Sequence, residues 1–205
     1  MLAWDELRSD LGVALNESDL LGFEVDPDRR LAGAAFRVLT LPREGMPPED
    51  RRVQMLFRPV GRVAASLRNG FWNDEAAEVV PFSLNDLLQV VQSFEGQPIY
   101  GWEFFDVHER ELAKWGSRLS LDWHSGVDGR SRSISVFQSS GRGPARHLDL
   151  CVWFDELEVR CPDGAELPLK EFAAGGCRWW DALYAGDQRT EGHGIVPGAS
   201  DGDPS

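Results

Sequence analysis

The chain has 205 residues, of which 42% are hydrophobic and 10% aromatic, an ordinary composition for a folded globular protein. Its 34 acidic and 21 basic residues leave a net charge of −13, which disfavours nucleic acid as a partner, because nucleic acid binding needs cationic groups that neutralise phosphates. The first residues lack the pattern of a secretory signal, and no window approaches the roughly eighteen apolar residues of a membrane span, so we expect a cytoplasmic protein without a membrane partner.

The first predicted element is a short N-terminal helix, indicated by the helical spacing of Trp4, Leu7 and Leu11. Two hairpins should follow, because apolar alternation is interrupted by turn residues at short intervals. Their four strands are predicted at 20–25, 34–41, 53–58 and 62–68. Ser83, with Asp86 three residues later, is a good N-cap and predicts a helix that ends at Gly96.

The second half of the chain repeats this order of strands and helix. Its strands are predicted at 118–123, 131–138, 147–154 and 157–161. A last helix is predicted at 169–184, and Gly175 and Gly176 should interrupt it.

The repeated order predicts an α+β fold with largely antiparallel sheets, built from two pseudo-repeated four-strand-plus-helix units. The units span 1–96 and 97–186 and should pack into one compact body with a groove between them. Alternation and turns of this kind also occur in any meandering antiparallel protein, so the duplication is a hypothesis. The segment 187–205 contains only two aliphatic residues, Ile195 and Val196, and is predicted to be a disordered tail.

The predicted core consists of apolar residues on the inward faces of these elements. They are Phe23, Val25, Phe36, Val38, Leu56, Val63, Leu67, Leu84, Leu88, Val91, Leu121, Val136, Leu150, Val152, Leu157, Val159 and Trp180.

The sequence indicates neither a metal nor a cofactor. Cys151, Cys161 and Cys177 are odd in number and lack CxxC spacing, so they predict neither a disulfide framework nor a zinc site. The glycine-rich loops and catalytic motifs of nucleotide-binding and hydrolytic enzymes are also missing from the sequence.

One candidate binding cluster lies at the junction of the halves and includes Trp102, Glu103, Asp106 and His108. If this segment is a strand, Trp102 and Asp106 share one face, and an acid beside large apolar rings would have a raised pKa that suits a general acid or base. The alternative is a connecting strand whose aromatic residues fill the core and whose carboxylates reach solvent or an arginine.

Two further clusters are candidates for binding. Trp123 is flanked by Asp122 and His124, which share a strand face and resemble an acid and histidine pair, although adjacent strand positions project in parallel and need not meet. Near the C-terminus, Arg178 precedes Trp179 and Trp180. Adjacent helical residues point about 100° apart, so one tryptophan could be exposed and bind a protein partner, while core packing is the alternative.

Two functions stay open at this point. The preferred hypothesis is a non-enzymatic binding protein that engages a basic or amphipathic protein partner through its acidic surface and the groove. The alternative is a small-molecule hydrolase or isomerase that uses Glu103, Asp106 or His108 for acid-base chemistry. The sequence does not indicate the oligomeric state, and it names neither partner nor substrate.

Overall fold

The computed structural model describes residues 4–107, 115–126, 131–140, 144–193 and 195. In these residues the chain forms ten strands and three α-helices. The elements in chain order are α1 Trp4–Leu15, β1 Asp19–Asp26, β2 Leu31–Arg37, β3 Arg52–Arg58, β4 Arg62–Asn69, β5 Glu78–Val79, α2 Leu87–Gln92, β6 Leu121–His124, β7 Arg132–Ser140, β8 Arg146–Phe154, β9 Glu156–Arg160, β10 Glu166–Leu167 and α3 Leu169–Tyr184. The predicted α+β class and the N-terminal helix are confirmed.

The strands form two antiparallel sheets. Sheet A has the order β1-β2-β3-β9-β10, and sheet B has the order β5-β4-β8-β7, with β6 also paired to β4. Each sheet therefore contains strands from both halves of the chain, through the pairs β3 with β9 and β4 with β8. The structure does not confirm the duplication. In the first half β1 pairs with β2, whereas the corresponding strand of the second half, β6, pairs with β4.

The core lies where the inner faces of the two sheets meet. Phe57 of sheet A contacts Phe154 of sheet B, with ring centroids 4.9 Å apart, and Phe23 stacks on Phe57 at 6.0 Å. Most of the predicted core is buried, but four of its members are only half-buried. They are Val25, Leu56, Leu84 and Leu88. Met55 and Phe57, on either side of Leu56, point into the core. Because side chains alternate along a strand, Leu56 lies on the outer face of β3.

The predicted interruption of the last helix is wrong, since α3 is continuous through Gly175 and Gly176. Gly176 packs directly against Ala14 of α1, and Gly175 lies close to the main chain of Leu41. The two glycines allow close packing of α3 against its neighbours, and this contact compensates for their low helix propensity.

The helix predicted from Ser83 begins as a single 3₁₀ turn, and α2 is shorter than expected. The Ser83 main-chain N–H and its hydroxyl both donate to the Asp86 carboxylate, at 2.9 and 2.6 Å. Leu87 and Val91 of α2 are buried, and the chain turns away at Gly96 with a φ of +65°.

The segment after α3 packs back on the body of the protein. Asp187 caps a 3₁₀ turn by accepting a hydrogen bond from the Arg189 main-chain N–H, and Thr190 is buried. The His193 ring lies 4.7 Å from the Trp179 ring. The other positions of the predicted tail, 194 and 196–205, lie outside the described residues. None of the helices in the described part of the chain has the length and hydropathy that a bilayer crossing requires.

Candidate functional site

A cleft of about 650 Å³ lies on the outer face of sheet B. Strand alternation explains its position: Leu150 and Val152 of β8 project into the core, whereas Asp149, Cys151 and Trp153 project to the opposite face. We call this site the aromatic cleft. Its lining residues are Arg68, Trp72, Tyr100, Glu103, Phe104, Val107, Trp115, Ser135, Val136, Phe137, Ser139, Asp149, Leu150, Cys151 and Trp153.

The aromatic cleft has an exposed aromatic rim. Trp72 is 69% exposed and Tyr100 is 50% exposed. The turn that carries Trp72 is well braced, since the Asp74 N–H donates to the Phe71 carbonyl and the Ala76 N–H donates to the Asp74 carboxylate. Exposed aromatic surface on an ordered turn has no role in the core, and such surface is typical of interaction sites.

Some charged side chains in and near the cleft form ion pairs, whereas one does not among the described residues. Arg68 is ion-paired with Asp149, and both side chains are largely buried. Arg62, near the cleft, is held by both carboxylate oxygens of Asp122 at 2.8 and 3.0 Å and lies 4.9 Å above the Trp153 ring. Glu103 is exposed and has no ion-pair partner among the described residues. The cleft is therefore lined by one exposed carboxylate that no described cation pairs with, while the charge of Arg68 is neutralised by Asp149.

Cys151, which lines the cleft, is an unreactive cysteine. It is buried, and its sulfur accepts a hydrogen bond from the Ser135 hydroxyl at 3.2 Å. Burial raises the pKa of the Cys151 thiol to about 12, although the Ser135 hydrogen bond and the nearby Arg62 lower it slightly. The thiol is protonated at neutral pH and is a poor nucleophile or metal ligand.

The junction cluster is not the strand that was expected. Only Phe105 forms a bridge, to Ile134, and the adjacent Phe104 and Phe105 are both buried. Asp106 lies at a bend and has a φ of +52°, outside the range of a regular strand. Its carboxylate accepts hydrogen bonds from the Trp4 indole N–H at 2.6 Å and from the Ser133 main-chain N–H at 2.7 Å. Asp106 therefore has a structural role that ties α1 to β7.

The other residues of the junction cluster lie at different surfaces from Asp106. Glu103 faces the aromatic cleft. Trp102, 50% exposed, lies on Trp180 of α3, with ring centroids 5.2 Å apart, and does not line the cleft. His108 lies outside the described residues.

In the second predicted cluster the acid and the histidine do meet. The Nε2 atom of His124 lies 3.1 Å from the Asp122 carboxylate, which also binds Arg62. Trp123 is half-buried and packs against the core from β6. The His124 side chain is 56% exposed, and none of the three lines the aromatic cleft.

The third predicted cluster offers no exposed anchor. Trp179 is fully buried, under His193 and beside Leu41. Arg178 donates to the Leu41 carbonyl at 3.0 Å and to Glu171 at 2.7 Å. Two different surfaces bury the adjacent tryptophans, because the C-terminal segment covers Trp179 while Trp180 packs on α1 and donates to the Val13 carbonyl.

Sequence reasoning missed most of the cleft residues. Trp72 carried a usable signal, because an aromatic pair directly after the Asn69-Gly70 turn occupies a position where core residues are not expected. Trp153 and Asp149 could have been placed on one face from strand alternation in β8. That this outer face forms a cleft depends on the path of residues 100–107, which no local pattern shows.

A larger depression, of about 890 Å³, lies between the start of β1, the loop before β3 and the C-terminal segment. Both arginine–aspartate ion pairs in its lining are internal to it, with Arg37 at 2.8 Å from Asp19 and Arg52 at 2.6 Å from Asp50. Its described lining residues include no Trp, Tyr or Phe. We therefore regard the aromatic cleft as the better candidate site.

Comparison of the chain with protein-family models, curated proteins and solved structures finds no match. Among the described residues, no three His, Cys, Asp or Glu side chains are grouped so that they could hold a metal ion. Function is therefore argued from the aromatic cleft alone.

Proposed function

We propose that this protein is a non-enzymatic binding protein whose aromatic cleft holds a basic, amphipathic segment of a protein partner. The observation that carries the proposal is the exposure of Trp72 and Tyr100 in a cleft that is also lined by Glu103, which has no ion-pair partner in the described part of the chain. Tryptophan and tyrosine are enriched among the residues that dominate binding energy at protein interfaces.

Charge favours a cationic segment over other occupants. The carboxylate of Glu103 and the faces of Trp72 and Tyr100 can all attract a Lys or Arg side chain, the rings through cation–π contacts. The net charge of −13 would also steer a basic partner toward the protein. The apolar surfaces of Phe137 and Trp153, which also line the cleft, suit the apolar residues of the same segment.

The hydrolase or isomerase alternative has less support. The Asp106 carboxylate is occupied by two hydrogen bonds, and the Cys151 thiol is protonated. No histidine occurs among the described residues that line the cleft. The cytoplasmic location and the exclusion of nucleic acid stay predictions.

The proposal can be tested by calorimetric titration with two nine-residue peptides, one of alternating Lys and Val and one of alternating Glu and Val. We expect the Lys peptide to bind and the Glu peptide to bind at least tenfold more weakly, because only the first complements Glu103. Equal affinity for the two peptides, or binding of neither, would contradict the proposal.

A matched pair of variants locates the binding surface. Phe71 and Trp72 are adjacent and equally exposed, at 70% and 69%, but only Trp72 lines the cleft. Trp72→Ala should weaken binding of the Lys peptide by about tenfold or more, as expected for loss of an interface tryptophan. Phe71→Ala should change it by less than about threefold, since exposed contacts away from the anchors contribute little. Equal effects of the two substitutions would place binding elsewhere.

A further inference from the structure

We infer that the bound segment is extended and adds a strand to the free edge of β7 at Phe137 and Ser139, an inference that rests on the proposed function. β7 is the last strand of sheet B, and its outer edge faces residues 100–107, the segment that we call the junction. An exposed strand edge offers main-chain donors and acceptors to a second chain, and pockets beside the edge then select alternate side chains.

The first part of this edge is already used by the chain itself. The Ser133 carbonyl accepts a hydrogen bond from the Asp106 N–H at 3.0 Å, and the Ser135 N–H donates to the Phe104 carbonyl at 2.7 Å. Alternate residues of a strand direct their main-chain groups to the same side. Phe137 and Ser139 therefore point their N–H and carbonyl groups to this edge, while the residues between them pair with β8.

The second part of the edge is open within the described residues, where no hydrogen bond to the main chain of Phe137 or Ser139 is found on this side. The junction leaves the edge before it can pair there. Gly101 has a φ of +134°, and Trp102 turns away onto Trp180. Phe137 and Ser139 are consequently two successive positions without an edge partner in the part of the chain that the structure describes.

The open edge borders the aromatic cleft. Ser135, Val136, Phe137 and Ser139 all line it, including Val136, whose side chain is buried in the core. The cleft thus contacts the β7 main chain as well as one side-chain face. A strand added at this edge would direct every second side chain over the cleft, toward Trp153 and the rim.

The sequence of β7 lacks the usual protection of a strand edge. Edge strands are commonly blunted by charged residues or proline, which discourage pairing with other chains. In Arg132–Ser140 the only charged residue is Arg132, at the end already covered by the junction, and the strand contains no proline. An edge left open beside an aromatic cleft fits a site that pairs with a partner.

The test is a main-chain methylation experiment with the nine-residue Lys and Val peptide. One version carries methyl groups on the main-chain nitrogens of all Val residues, and the other on the main-chain nitrogens of all Lys residues. Each version therefore lacks the N–H donors of one edge of the extended peptide. We expect one version to bind about tenfold or more weakly and the other to bind nearly as the parent, because a lost hydrogen bond costs about a factor of ten. Equal binding of the two versions would overturn the strand inference.

Amide hydrogen exchange gives an independent readout on the protein. The Phe137 and Ser139 amides should exchange quickly in the free protein and become protected with the peptide, whereas the Gln138 amide, which faces β8, should be protected in both states. Ser139→Pro removes one edge donor and should weaken binding about tenfold, while Ser139→Ala, which keeps the donor, should not.

The two proposals fail differently. If Trp72→Ala weakens binding but both methylated peptides bind alike and the Phe137 amide gains no protection, the cleft is a binding site and the added strand is wrong. If no version of the Lys peptide binds better than the Glu peptide, the proposed function itself is wrong. The test does not depend on whether the Ser139→Pro variant folds, since the methylated peptides and the amide exchange experiment use the wild-type protein.

Discussion

Gly176 of α3 lies so close to Ala14 of α1 that a Cβ atom at position 176 would come 2.3 Å from the Ala14 Cα atom. The two helices are therefore in main-chain contact. Gly176→Ala should lower the free energy of unfolding by about 1–3 kcal/mol, the usual cost of overpacking. Alanine raises helix propensity by about 1 kcal/mol relative to glycine, so the sign of the result separates packing from propensity.

Urea unfolding at neutral pH measures this change, and Lys170→Ala is a suitable control because Lys170 is exposed on the same helix. The control should stay within about 0.5 kcal/mol of the wild type, as is usual for surface substitutions. A Gly176→Ala protein as stable as the wild type, or more stable, would contradict the close contact between α1 and α3.

Asp106 should be important for stability. Asp106→Ala removes the acceptor for the Trp4 indole and for the Ser133 N–H, and we expect a loss of about 2–4 kcal/mol for these charge-assisted hydrogen bonds. Glu103→Ala in the same segment should have little effect on stability, since Glu103 is exposed and lacks an ion-pair partner in the described residues. Thermal and urea unfolding of the two variants measure the contrast, and equal stability of both would refute the structural role of Asp106.

Local patterns were sufficient for most of the fold. The alternation of Val63, Ala65 and Leu67 predicts the buried face of β4, and the apolar stripe of the first residues predicts the N-terminal helix. The continuity of α3 could not be predicted, since the glycine pair has a meaning only once α1 lies against it. Propensity is a local quantity, and here a tertiary contact overrides it.

The site was less accessible to sequence reasoning. The sequence predicts Glu103 and Asp106 as candidate binding residues of one cluster, but Glu103 lines the cleft whereas the Asp106 carboxylate stabilises the fold. The role of Asp106 depends on its distant partners Trp4 and Ser133 and on a bend with positive φ, neither of which a local motif in the sequence indicates. Exposure of one tryptophan and core packing both remained open for Trp179 and Trp180, and the burial of Trp179 depends on the segment after α3, whose path no local pattern predicts.

Buried His147 should make stability depend on pH. Its Nδ1 atom donates to the Gly70 carbonyl at 3.2 Å, and burial, together with Arg68 and Arg118, lowers the pKa of the imidazole below its ordinary value of 6.5. The unfolded chain therefore binds a proton more readily than the folded protein. The free energy of unfolding should fall as the pH is lowered through 6.5 toward the lower pKa of the folded state.

The variant His147→Asn isolates this contribution, since the Asn amide can donate to the same carbonyl and does not titrate. The difference in stability between wild type and variant should be constant above pH 7 and should shift in favour of the variant below pH 6.5. His193, whose pKa is also lowered by burial, is present in both proteins and cancels in this comparison. Parallel stability curves down to pH 5 would show that His147 does not carry the effect.

The central claim is that the aromatic cleft is the binding surface, and fluorine NMR of protein labelled with 6-fluorotryptophan tests it most directly. The chain has eight tryptophans, of which Trp72, Trp115 and Trp153 line the cleft. Titration with the Lys and Val peptide should move these three resonances, assigned by single Trp→Phe substitutions, and leave the other five nearly unchanged. The five are Trp4, Trp102, Trp123, Trp179 and Trp180. Movement of the Trp102 and Trp180 resonances, with those of the cleft tryptophans unaffected, would contradict the account.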